Sequence, residues 1–109
     1  MSAQYFNLVE QAPAAKDGDF PVSTRLFTED GATLVVFRFG PKQVLKEHRA
    51  PHPITVRVAK GEVEFAVDGN THTLTPETVI YVPEGTPHSV FSREGAVMTV
   101  TLHTGGSSS

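Results

Sequence analysis

The chain is predicted to be an all-β protein, an antiparallel β-sandwich or jelly-roll barrel. Three observations carry this. Apolar and polar residues alternate with a period of two along most of the 109 residues. Gly and Pro cut the alternating runs into short pieces, and no stretch sustains the 3.6-residue period of a helix. β-Branched residues stand in every longer run at a density that disfavours helix and favours strand.

Element by element, residues 25–28 and 33–39 flank Asp30-Gly31 and form a hairpin. Residues 43–48 are short and extended. Residues 54–59 alternate with Ile54, Val56 and Val58 on one face. After Lys60-Gly61, residues 62–67 place Val63, Phe65 and Val67 inward and Glu62 and Glu64 outward. Asp68-Gly69-Asn70 is a tight turn leading into 71–74. Residues 78–82 are continuously apolar, as a strand buried on both faces would be. Pro83-Glu84-Gly85-Thr86-Pro87 breaks the chain, and 88–93 and 96–103 complete the series. This is roughly eight to ten short strands. Residues 11–18 form a loop. Residues 1–103 make one domain, and the Gly/Ser-rich residues 104–109 a flexible tail.

Composition narrows the chemistry. Nine Lys and Arg against twelve Asp and Glu give a net charge of −3, which argues against nucleic acid as a partner. No apolar run approaches the ~20 residues of a membrane span, and no leader is legible at the start, so a cytoplasmic protein is expected. Cysteine is absent, which excludes disulfides, thiolate metal sites and thiol nucleophiles. A transition-metal site must then use imidazole and carboxylate, and the five histidines are at 48, 52, 72, 88 and 103.

From residue 40 to residue 92 the chain resembles the cupin family of small jelly-roll barrels. Pro83-Glu84-Gly85-Thr86-Pro87-His88 reproduces the P-x-G-x2-H core of the second cupin motif, G-x5-P-x-G-x2-H-x3-N. Glu77 stands where its Gly is expected and Ser92 where its Asn is expected. The first motif, G-x5-H-x-H-x3,4-E-x6-G, is less well kept. Counting back from Gly61 puts Ile54 at the glutamate position, with the histidine pair at 48 and 50 or at 47 and 49. Counting forward from Gly40 puts the pair at Lys46 and His48, and His52 where the glutamate belongs.

The resemblance implies a barrel cavity that binds a divalent metal through His48, His52 and His88, together with a small organic ligand. Dioxygenase, isomerase or lyase chemistry would follow from such a site. Without the glutamate, an imidazole-rich site favours iron, nickel, copper or zinc over manganese. His48-x3-His52 is not a helical metal pair, because Pro51 and Pro53 exclude a regular helix there. The alternative is a metal-free barrel that binds a small molecule or serves as a structural module. The inward apolar positions Phe37, Phe39, Val56, Phe65, Tyr81 and Val90 are the expected pocket lining. Leu34 to Phe37 are apolar on both faces, which predicts a homodimer covering the second face. His72 alternates with Leu74 next to a turn, and His103 alternates outward, so neither joins the expected site.

Overall fold

A computed structural model describes residues 2–105. In chain order it contains one helical turn, α1 (Leu8–Gln11), and nine strands: β1 (Val22–Glu29), β2 (Ala32–Phe39), β3 (Gln43–His48), β4 (Ile54–Gly61), β5 (Val63–Val67), β6 (Asn70–Leu74), β7 (Val79–Val82), β8 (His88–Ser92) and β9 (Ala96–Leu102). They form two antiparallel sheets, ordered β1-β2-β9-β4-β7 and β3-β8-β5-β6. The fold is a jelly roll, as the alternation predicts.

The turns follow from local chemistry. Asp30 and Gly31 have φ of 47° and 85°, and Asp68 and Gly69 have 54° and 76°. Two consecutive positive φ values match the right-handed twist of the flanking strands, which is why Asp-Gly closes both hairpins. Gly61, at φ 79°, also leaves room for a neighbour: a Cβ there would sit 2.6 Å from the Gly95 carbonyl oxygen.

Alternation sets the core. Ile54, Val56 and Val58 of β4 face Val63, Phe65 and Val67 of β5 within one buried cluster that also contains Phe39, Leu74, Val82, Val90 and Met98. Each of these side chains sits on the inner face of its strand because the period of a strand is two.

Two expectations change. β7 is not buried on both faces: it lies at the end of its sheet, and Val79 and Tyr81 are each 60% exposed. Its outward residues lack cover because the segment lying on that sheet reaches only β1, β2, β4 and β9. That segment is the N-terminal turn, where Val9 and Ala12 pack against Val36, Val97, Leu26 and Ala59. Asn7 caps α1 by accepting from the amides of Val9 and Glu10. Arg38 ties the segment down, donating to the carbonyls of Pro13 and Val9 at 2.8 Å each. The outer face of β2 at Val36 is therefore covered from within the chain.

At the other terminus, the amide of Gly105 donates to the Gly31 carbonyl at 2.9 Å. The remainder of the Gly/Ser stretch, residues 106–109, lies outside the described residues. No helix among the described residues is long and apolar enough to cross a membrane.

Candidate functional site

One end of the barrel gathers the end of β3, the start of β4, the end of β7 and the start of β8. The two loops there are tied together: the Gly85 amide donates to the Ala50 carbonyl at 3.0 Å, and Arg49 donates to the Gly85 carbonyl at 3.0 Å. Pro83 and the positive φ of Gly85 (76°) bring the chain into β8 with His88 first, its side chain facing in beside those of Val90 and Ser92.

His48 arrives by a different device. Strict alternation from Gln43 and Leu45, both inward, would send His48 outward. Between Leu45 and His48 the register slips: Leu45 pairs with Val90, and His48 pairs with His88. Three steps along β3 match two along β8, so β3 carries a bulge, which reverses the facing of everything after it. His48 consequently lies beside His88, with ring centres 4.3 Å apart and planes inclined at 64°. Phe65 stacks on His88 with ring centres 5.4 Å apart and planes inclined at 11°.

Both imidazoles are oriented by backbone. Nδ1 of His48 donates to the Lys46 carbonyl at 2.8 Å, and Nδ1 of His88 donates to the Thr86 carbonyl at 2.9 Å. A carbonyl only accepts, so Nδ1 carries the proton and Nε2 of the neutral ring keeps a lone pair. His88 is 4% exposed, whereas His48 is exposed to solvent. Burial pushes the His88 pKa below its ordinary value of 6.5; the Thr86 hydrogen bond opposes this, and charge on His48 adds to it. His88 is therefore neutral at neutral pH.

The remaining expected residues are dispersed. His52 lies half-buried in the bend between β3 and β4, and no group of three His, Cys, Asp or Glu able to hold a metal forms among the described residues. Ala50 and Ile54 both pack against the core, Ile54 at 2% exposure. With His48 inward, this resolves the two registers of the first motif in favour of the count from Gly61: Ala50 occupies the second histidine position and Ile54 the glutamate position. A centre of three or more protein ligands does not fit these residues, since half of the expected donor set is aliphatic.

Phe39, Val56, Phe65 and Val90 are buried to 2% or less within the core cluster, whereas Tyr81 points outward on β7, its ring 6.4 Å from that of His103. His103 accepts from or donates to Thr55 at 2.7 Å, and His72 is exposed on the edge strand β6. A cavity of about 500 Å³ lies at the opposite end of the barrel, bordered by Gly61, Glu62, Arg93 and Glu94. Ser92, at the motif's Asn position, is fully buried there; it donates to the Glu62 carbonyl and accepts from the Gly95 amide at 3.1 and 3.0 Å.

Phe37, Leu45, Ala50, Ile80, Val100 and Leu102 are only partly buried although they pack on the core. Alternation places Phe37, Val100 and Leu102 inward in advance but not how far each is buried, because degree of burial depends on how the two sheets close.

A family model described as "Cupin domain" matches residues 35–105, well over half of the chain. The chain belongs to the cupin family. The match starts within β2, so the N-terminal segment and β1 of this cupin precede it. No curated protein matches the chain. Among solved structures, it is similar to an RmlC-like cupin protein from Desulfovibrio desulfuricans, with 24% identity, TM-score 0.81, and 94% of this chain and 98% of that one covered. An uncharacterized conserved protein with a double-stranded β-helix domain from Klebsiella pneumoniae gives 20% identity, TM-score 0.81 and coverage of 96% and 93%. An oxalate oxidase gives 17% identity and TM-score 0.75, with 93% of this chain aligned to 59% of its own. These likenesses are of fold.

Proposed function

We propose that this cupin binds a small organic molecule at the His48–His88 end of the barrel, the two imidazoles forming its polar anchor without a resident metal held by three protein ligands. One observation carries the reading. Both Nδ1 atoms are committed to backbone carbonyls, so a buried and an exposed ring, with centres 4.3 Å apart, each keep Nε2 free of the fold's own hydrogen bonds. Few convergent polar groups in an apolar setting are what small-molecule sites use for orientation.

A second reading has its own support. A carbonyl fixing Nδ1–H is also how metal-ligating histidines are oriented, and two imidazoles suit iron, nickel, copper or zinc. In that reading His48 and His88 hold the ion and oxygen ligands from water or substrate complete it.

Elemental analysis of untagged protein, followed by a small-molecule binding screen in the presence of EDTA, separates the two. The leading reading expects metal far below one ion per chain and EDTA-resistant binding that is lost in His48→Ala and His88→Ala. Stoichiometric metal that disappears in either variant overturns it in favour of the second.

A further inference from the structure

We infer that a second copy of this chain docks on the outer face of the five-stranded sheet, about a two-fold axis that lays Leu34 of one copy on Tyr81 of the other. This holds whatever the His48–His88 end binds.

Register defines the surface. Leu34 pairs with Thr101, Thr101 with Thr55, and Thr55 with Tyr81, so one row of side chains crosses β2, β9, β4 and β7 on the same side of the sheet. Their neighbours along the strands, among them Val56, Val82 and Val100, pack in the core, so the row points outward. At the β1 end the row meets Phe27, on which Phe6 already stacks with ring centres 6.1 Å apart. Two residues further along β2, Val36 is covered by the N-terminal turn. Between these, Leu34, Thr101 and Thr55 keep part of their surface open, and Tyr81, like Val79 beside it, is 60% exposed.

The occupant follows from order and charge. Across the strands the row is Leu, Thr, Thr, Tyr, with a large apolar side chain at each end and threonines between. It is the same in type from either end. A two-fold axis parallel to the strands, between β9 and β4, therefore sets apolar on apolar and threonine on threonine, as a self-complementary interface requires. Each copy carries a net charge of −3, so two copies repel unless they meet where neither presents a carboxylate. This row has no charged side chain. The matching row on the other sheet, Val44, Phe91, Glu64 and Thr73, carries Glu64 with Arg93 beside it at 3.7 Å. Covering Thr55 strands no polar group, because its hydroxyl is bonded to His103 at 2.7 Å. β7 ends its sheet, and its register against β4 is unbroken; no charge, proline or bulge within it wards off a neighbour. Four strands about 4.8 Å apart make a contact only ~20 Å wide, which places the dimer among small interfaces with micromolar dissociation constants.

Sedimentation velocity on the full chain, from micromolar to submillimolar concentration, should show a monomer–dimer equilibrium. Leu34→Glu and Tyr81→Arg, each present twice per dimer, should raise Kd about a hundredfold or more. Thr73→Arg, on the other sheet, should leave it unchanged. Circular dichroism melts check that each variant folds, and Tyr81→Arg, at an exposed edge, decides the surface even if Leu34→Glu does not fold. Within one chain Leu34 and Tyr81 are three strand spacings apart, about 14 Å, too far to meet. Mixing the two single variants should therefore restore a dimer only through contact across the two-fold. A parent that stays monomeric throughout, or a dimer that both variants leave intact, overturns the docking surface. Dissociation by both variants without recovery on mixing overturns the two-fold pairing.

Discussion

Replacing Ala50 with His and Ile54 with Glu should convert the barrel mouth into a metal centre, and the size of the effect follows from the structure. Ile54 is 2% exposed, so Ile54→Glu forfeits about 1.5–3 kcal/mol of side-chain burial. It also places a carboxyl in apolar surroundings, where burial raises its pKa and adds a further cost of about 1–3 kcal/mol. Without metal, the double variant should be less stable than the parent by about 3–6 kcal/mol, within the ~5–15 kcal/mol that a domain usually has. With four donors converging on one point, Zn²⁺ or Ni²⁺ at a hundred times its Kd should return about 2.7 kcal/mol. For a domain of this size that raises Tm by about 10–20 °C. Scanning calorimetry with and without the metal, plus titration for stoichiometry, measures both numbers. The parent, with two imidazoles, should move far less. Failure of the variant to gain metal-dependent stability would show that Ala50 and Ile54 do not face His48 and His88. An equal rise in the parent would show that two imidazoles already suffice.

Two further outcomes follow from the geometry. Gly61 and Gly69 both have positive φ, but a Cβ at Gly61 would lie 2.6 Å from the Gly95 oxygen whereas at Gly69 nothing is within 4 Å. Gly69→Ala should therefore cost about 1–2 kcal/mol, the left-handed penalty alone, and Gly61→Ala at least ~3 kcal/mol once overpacking is added; equal urea midpoints would contradict the close approach. His88 supplies a pH dependence. Its pKa is held below 6.5 in the fold by burial, so below that pH the unfolded chain binds the extra proton first, and stability falls as pH falls toward the folded pKa. Thermal melts from about pH 7 to about pH 5 should lose more Tm in the parent than in His88→Gln, and parallel slopes would refute the assignment.

Much of the fold is legible because strand faces are a local property. Alternation places Val56 and Phe65 in the core, and Asp30-Gly31 and Asp68-Gly69 announce their hairpins, since neither needs knowledge of a distant partner. His88 is legible for the same reason: Pro83 and Gly85 set the turn that delivers it. The apolar run at 78–82 misleads, because the composition of a strand does not say whether it lies in the middle of a sheet or at its end. The N-terminal turn that covers Val36 is equally hidden, its contacts depending on Arg38 and strands far along the chain.

For the site, the sequence by itself determined that, with no cysteine, any metal site would have to use imidazole and carboxylate, that His88 would face inward, and that the carboxylate of the first motif was gone. Only the tertiary structure decided that His48 stands beside His88, that Ala50 and Ile54 pack against the core, and that no group of three His, Asp or Glu able to hold a metal forms among the described residues. The reason is the bulge between Leu45 and His48. One unpaired residue reverses the facing of a strand, and it is specified by the hydrogen-bond register against β8, a partner some forty residues away, rather than by any pattern within β3.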